Sequence, residues 1–366
     1  MNLTKTSPLY LTRFIAAYSV LIVHYCPQSW RDSLPAIRHF GEPVHYFFLI
    51  SGFVMIISST KYFNFDTKSI TFNKINFWVR RIARIYPLYL LALFLFVLYN
   101  YAVKEIDLSI PKRIIPEIVG INRWIYSGSI NFPSWTVSCE FFFYFLFPFS
   151  LPLIVKSPLK RLILIVVSLH IISILFSFFY EKNLQNIFSL NPSHLYQMLA
   201  DSIYLHPLFQ YTIFLLGCLA GRIYLIPEKM VFFEKNSMAV SVVCLLIVAI
   251  FYNYHIVKDA FFDTGFLAFV YFFLVLAVCS FSGMALSFFS WKPFVFLGEI
   301  SYGIYIMQAP VEHCFESLFT DGKPFTTTTQ FLSYTLFLTA ICWFLYYAFE
   351  IPAKKLVVNN FIKQKH

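Results

Sequence analysis

The sequence predicts an all-α, polytopic membrane bundle of about ten transmembrane helices, with both termini in the cytoplasm. Three observations carry this. Hydrophobic residues make up 59% of the 366 residues and charged residues only 13%, against roughly 25% charged in a soluble domain, so the chain cannot clothe a water-facing surface. Apolar runs approaching the ~20 residues that a bilayer span requires recur along its whole length. Lysine and arginine collect in alternate connections between those runs, as the positive-inside rule requires. Aromatic residues at 21%, with 46 Phe and 24 Tyr, suit lipid-facing surfaces and interfacial belts. The net charge of +10 lies between apolar runs, so it reads as a topology signal rather than a footprint for nucleic acid. The expected partner is the lipid bilayer, with no nucleic acid.

The runs lie near 8–26, 42–60, 82–103, 136–156, 160–180, 205–226, 236–253, 260–281, 294–317 and 328–350. The first contains Arg13 and lacks a small-residue cleavage site, so it is expected to be retained as a helix. With ten spans, the basic stretches 61–84, 156–161 and 229–235 and the tail with Lys354, Lys355, Lys363 and Lys365 all fall on the side of the N-terminus. That side is the cytoplasm. The opposite loops are 27–41, 104–134, 181–204, 254–259 and 318–327. Lys112, Arg113 and Arg123 in the second of these break the asymmetry. No internal repeat is evident, and residues 1–366 read as one membrane domain with no appended soluble domain. The seven cysteines are scattered, with neither a Cys-x-x-Cys pair nor a His-x-x-x-His pattern. Neither a disulfide framework nor a metal site is expected.

Ionisable residues inside apolar runs carry the functional reading, because each costs ~2.5–3.5 kcal/mol on insertion scales. Arg13 and His24 are eleven residues apart, on one helical face and ~16 Å apart along the axis. The bland alternative is an interfacial histidine and an arginine snorkelling inward. In FWVRRIARIYPLYL (77–90), Arg84 shares a face with Arg80 at i,i+4 and with Arg81 at i,i+3. Either this is a positive-inside anchor, or the guanidinium forks cradle the phosphates of a donor such as a coenzyme A thioester. Glu140 in SWTVSCEFFFYFLFP (134–148) is expected near the outer level of His24, where a carboxylate would orient the imidazole as a general base. Ser301, Tyr305, Gln308 and Glu312 form one polar stripe, either lining a wet cavity or gluing helices together. Glu350, one turn after Tyr346, is expected to pair with the arginines of the third run as a structural contact. His45 is a weaker candidate. Ser51-Gly52 reads as a small pair permitting close helix approach.

These segments, in this order, resemble the bacterial membrane acyltransferase family 3, whose members O-acylate surface polysaccharides and other extracytoplasmic molecules. The resemblance spans nearly the whole chain: Arg13 with His24 after ten intervening residues, HYFFLISGF (45–53), RRIARIYP (80–87), SWTVSCEFFFYFLFP (134–148), FLGEISYGIYI (296–306) and YYAFEIP (346–352). It implies a catalytic His24 and an acyl-CoA donor associated with Arg81 and Arg84, and it matches Arg13 and Glu140 to family positions; on the reading of the residues Glu140 shares in catalysis by orienting His24 and Arg13 guides the thioester arm. Arg80, Ser301, Tyr305, Gln308 and Glu350 are then supporting or substrate residues. Many members continue the ninth helix to a tryptophan-histidine pair. Met307-Gln308 stands here instead, so a second essential histidine is not expected.

The combined expectation is a multi-pass enzyme of the bacterial inner membrane that moves an acyl group, most simply acetyl, from cytoplasmic acyl-CoA to a hydroxyl of an extracytoplasmic glycan. No tightly bound cofactor is expected, and acyl-CoA is a co-substrate. The rival class is a proton-coupled transporter or flippase, which also buries His, Glu and Arg; the inverted repeat and broken helix pairs that many carriers show are not evident. The predicted sidedness is checked by cysteine accessibility. A cysteine at Lys68 should react with an impermeant reagent only from the cytoplasm, and one at Asp321 only from outside. Reaction of both from one face rules out this topology.

Overall fold

In a computed structural model, residues 5–64, 67–103, 110–126, 128–187, 203–254 and 259–362 are described. The expected loops 181–204 and 254–259 lie largely outside them, as do Lys363 and Lys365. The described residues are helical throughout apart from turns and one isolated bridge between Phe63 and Ile70. Helices run over Leu9–Tyr25 (α1), Val44–Ser59 (α2), Lys74–Val103 (α3), Ile110–Val119 (α4), Trp135–Lys156 (α5), Leu159–Ile187 (α6) and Pro207–Tyr224 (α7). They continue over Pro227–Asn253 (α8), Ala268–Val278 (α9), Gly283–Phe289 (α10), Lys292–Phe319 (α11), Thr328–Leu345 (α12) and Ile351–Phe361 (α13).

Among the described residues, seven helices are long and apolar enough to cross a bilayer, or eight if α9 and α10, bent by 111°, count as one span. The chain is therefore a multi-pass membrane protein. α1 has 17 residues and stands apart from the seven. α7 also stands apart, with Gln210 and glycines at 217 and 221 buried in its length. A helix enclosed by its neighbours meets little lipid, so its composition is set by packing rather than by transfer into hydrocarbon.

Boundaries shift where local chemistry outweighs hydropathy. α3 starts at Lys74 rather than 82 because the Asn73 side chain caps it, accepting from the Asn76 amide at 2.9 Å. The basic stretch ending at Arg84 is thus partly helix. α8 starts at Pro227, and the expected start, Asn236, is an internal kink at φ −122°, ψ 18°. The single helix expected over 260–281 is broken instead: a short helix Asp259–Asp263 is followed by Gly265 at φ +72°, a conformation glycine accepts at little steric cost, before α9 begins. α12 starts with a capping box between Thr327 and Gln330.

The largest departure is 104–134, expected as an outer loop. Its described part folds back along α3. The Tyr86 hydroxyl, midway along α3, donates to the Ile118 carbonyl at 3.1 Å, and Tyr89 donates to that of Glu117. Glu117, Asn122, Arg123 and Asn131 are all buried. Arg113 and Arg123, which spoil the charge asymmetry, act on buried Glu117 rather than marking a membrane face.

Close packing is set by glycine. A Cβ on Gly52 would lie 2.0 Å from the Phe214 carbonyl oxygen, and one on Gly217 would lie 1.9 Å from that of Leu49, so α2 and α7 touch backbone to backbone. The Ser51-Gly52 pair does permit close approach. Likewise a Cβ on Gly298 would lie 2.3 Å from the Tyr10 carbonyl, which presses α1 against α11. Gly298→Ala should therefore destabilise the fold by about 1–3 kcal/mol, the usual penalty of overpacking, read as a lower unfolding temperature in detergent. Gly303→Ala, whose methyl would meet its neighbours at an ordinary 3.5 Å, should change little.

Candidate functional site

The α1–α11 contact places two polar centres one above the other. The lower is an open-mouthed cavity of about 100 Å³, walled by α1, α2, α3, α5 and α11. Arg13, Arg81, Arg84 and Glu140 face into it, as do Ser301 and Tyr305 of the polar stripe. Its remaining walls are mostly apolar or aromatic, from Val44, Phe47, Phe48 and Met55.

Two of the charged groups have local partners. The Arg81 Nη2 donates to Ser58 Oγ at 3.0 Å, and its guanidinium lies 5.5 Å from the Phe77 ring centroid. Glu140 Oε2 accepts from the Tyr144 hydroxyl, one turn later, at 3.3 Å. The cations acting on Glu140 are Arg84 first, then Arg13 and Arg81. Among the described residues no carboxylate oxygen lies within 4 Å of the nitrogens of these three arginines. The cavity therefore gathers three cations and one anion without a direct ion pair.

The upper centre is His24. Its Nδ1 lies 2.9 Å from Gln308 Oε1, and its ring meets Phe132 edge to face at 4.6 Å between centroids. The side chain is otherwise exposed. Arg31 Nη2 donates to the Val23 and His24 carbonyls at 2.9 and 3.2 Å, closing the last turn of α1. Gln308 Nε2 donates to the Tyr305 carbonyl at 2.6 Å, so the stripe on α11 joins the two centres.

The structure thus groups Arg13, Arg81, Arg84, Glu140, Ser301 and Tyr305, and separately groups His24 with Gln308. It does not bring Glu140 to His24. The expected pairing fails because α5 does not begin at the outer end of the bundle. The preceding segment is folded inward, with Asn131 Nδ2 donating to the Ile306 carbonyl midway along α11 at 3.0 Å. Five residues into α5, Glu140 is then at the depth of the arginines. Arg80 is exposed and outside the cavity. Glu350, in the π-helical turn Tyr346–Glu350 between α12 and α13, also lies outside it, with Arg84 as its strongest cationic neighbour. Among the described residues the two make no ion pair within 4 Å.

Tyr144 and Thr136 line the cavity without having been singled out in the sequence, and Ser51, expected there only as a packing residue, lines it too; the Glu140–Tyr144 spacing of four was the available signal for the first. His45 belongs to a different buried cluster, its Nδ1 3.3 Å from Glu42 Oε1, with Tyr252 and Tyr271 donating to Glu42 Oε2. Glu312, His313 and Glu316 bring their donor atoms within 4.8 Å of one another, a grouping that could hold a metal ion. Its His313 already pairs with Glu312 at 2.9 Å and stacks on Tyr99. Adjacent and i,i+3 spacings of this kind fall outside a search for His-x-x-x-His.

A multi-pass bundle that gathers buried charge around one cavity, with an ordered histidine beside it, has the build of a membrane enzyme. The chain belongs to acyltransferase family 3: the profile of that acyltransferase domain matches residues 9–347. Membership of that family favours acyl transfer over the transporter reading of the same polar residues. The chain is 33% identical over 164 residues to the acyltransferase MdmB of Streptomyces mycarofaciens, a match covering 41% of this chain and 40% of that protein. No solved structure matches the chain.

The inward fold of 131–136 has a direct test. Asn131→Leu removes the donor to the Ile306 carbonyl and leaves that carbonyl buried and unpaired, at a cost of about 1–3 kcal/mol. Thermal unfolding in detergent should register the loss. Trp343→Phe, at an exposed site, should not.

Proposed function

We propose that this enzyme moves a short acyl group, most simply acetyl, from cytoplasmic acyl-CoA to a hydroxyl of an extracytoplasmic glycan at the bacterial inner membrane. One observation carries the reading: three guanidinium groups facing one cavity with a single carboxylate and no direct ion pair. A cationic enclosure of low dielectric favours an anionic ligand, and guanidinium forks match phosphate oxygens two at a time. Arg81 and Arg84 hold the donor's phosphates, and Arg13 guides the pantetheine arm. In the ten-span arrangement with cytoplasmic termini, the arginine end opens to the cytoplasm and His24 to the outside. The ~16 Å along α1 from Arg13 to His24 is a span that the extended arm bridges.

His24 takes the proton of the acceptor hydroxyl. The oxygen attacks the thioester carbonyl, the new C–O bond forms, and the C–S bond breaks. The proton carried by His24 passes to the departing thiolate, so the products are an ester and free coenzyme A. Glu140, set among the arginines, tempers their mutual repulsion and orients them rather than the histidine.

The test uses sealed proteoliposomes supplied with labelled acetyl-CoA on the arginine side and cell-envelope glycan on the other. Label should appear on the glycan and free thiol on the arginine side. His24→Ala should abolish transfer. Arg81→Lys and Arg84→Lys, which keep charge but lose the fork, should each raise KM for acetyl-CoA about tenfold or more. Normal transfer by His24→Ala, or unchanged donor KM in both lysine variants, refutes the assignment.

A further inference from the structure

We propose that Gln308 is a positioning residue that fixes the tautomer of His24, so that Nε2 is the unprotonated ring nitrogen offered to the acceptor hydroxyl. The inference rests on the reading of His24 as general base and adds to it which nitrogen acts and why.

The hydrogen bonds run outward from the backbone to the ring. Gln308 Nε2 lies 2.6 Å from the Tyr305 carbonyl oxygen. A carbonyl only accepts, so the amide group facing it must be the NH₂, and this settles the orientation of the amide. The other amide atom, Oε1, therefore faces His24 Nδ1 at 2.9 Å. An amide oxygen also only accepts, so Nδ1 must carry the hydrogen. In the neutral ring the lone pair then resides on Nε2, and a general base needs that lone pair on the nitrogen meeting its substrate.

The lock is rigid at both ends. Gln308 is 1% exposed, and its own carbonyl accepts from the Tyr334 hydroxyl at 2.8 Å. Asn131 holds the Ile306 carbonyl two residues earlier. On the other side, Phe132 lies edge to face against the His24 ring. A ring turned by 180° would set Cδ2 against the amide oxygen and lose the bond. The charged group acting on His24 is Arg31, which also holds the end of α1. An amide, unlike a carboxylate or a second histidine, keeps the same acceptor at every pH.

Gln308 does not line the donor cavity, and this separates positioning from donor binding. In the proteoliposome assay with acetyl-CoA, Gln308→Met keeps the length of the side chain without its acceptor. It should lower kcat at least about tenfold, part of the ~10²–10⁴-fold that a positioned proton acceptor contributes, while KM for acetyl-CoA stays within about twofold. Gln308→Glu restores an acceptor and adds a charge beside the ring. It should recover much of kcat and move the acid limb of the rate profile upward by about one pH unit, as a nearby opposite charge does.

A second readout needs no activity. Carbethoxylation of His24 by diethylpyrocarbonate, followed against pH by peptide mass spectrometry, should show the same upward displacement in Gln308→Glu relative to the wild type. Wild-type kcat in Gln308→Met, or an unmoved carbethoxylation midpoint in Gln308→Glu, overturns the proposal. An active His24→Ala overturns the general-base reading instead and leaves carbethoxylation to judge the Gln308 contact by itself.

Discussion

Inside hydrocarbon every backbone carbonyl needs a donor from the protein itself, and this chain repeatedly breaks its own helical ladders with proline. A proline within a helix has no N–H for the carbonyl four residues earlier. Pro310 frees the Ile306 carbonyl, which accepts from Asn131. Pro148 frees that of Tyr144, which accepts from the Trp78 indole at 2.9 Å. Pro116 frees that of Lys112, which accepts from the Tyr126 hydroxyl at 3.2 Å. Each freed carbonyl becomes a docking point between segments distant in sequence or separated by a turn. The first draws 131–136 into the bundle, the second ties α3 to α5, and the third folds α4 onto its own loop. The depth of Glu140 and the seat of Phe132 against His24 both follow.

Backbone contact through glycine does the complementary work. Gly298 lets α1 lie on α11 with no side chain between them. Arg13 then shares a cavity with Ser301 and Tyr305, and His24, at the far end of α1, reaches Gln308. The stripe on α11 is thus a connector between a cationic cavity and a histidine. Electrostatics explains why the two centres are separate. Beside three guanidinium groups a proton-accepting imidazole would be a poor base, because neighbouring cations oppose its protonation. Removed from the cavity and held by a neutral amide, it escapes most of that penalty.

The unexpected positions of Glu140, Arg113 and Arg123 share one cause. Arg13, Arg81, Arg84 and Glu140 stood out because a charge in an apolar run is costly wherever it lies, and that cost is a property of composition. Depth is different. Counting spans assumes that every connection stays outside the bundle, and the described part of 104–134 does not. Once that segment turns inward, the charges of Arg113 and Arg123 cease to report sidedness, and Glu140 drops from the level of the histidine to that of the arginines. Hydropathy likewise placed the start of α3 eight residues late, since it does not register the Asn73 cap.

What the sequence by itself determined is the membrane setting, the helical class, the family, and the residues too costly to bury without a purpose. These follow from transfer energies and local spacing, which act within a few residues. Only the tertiary structure decided which of those residues meet. The partner of His24 is Gln308 and not Glu140, because the choice turned on a proline-freed carbonyl at Ile306 and a glycine contact at Tyr10. Both are contacts between segments more than a hundred residues apart, and no local pattern encodes them.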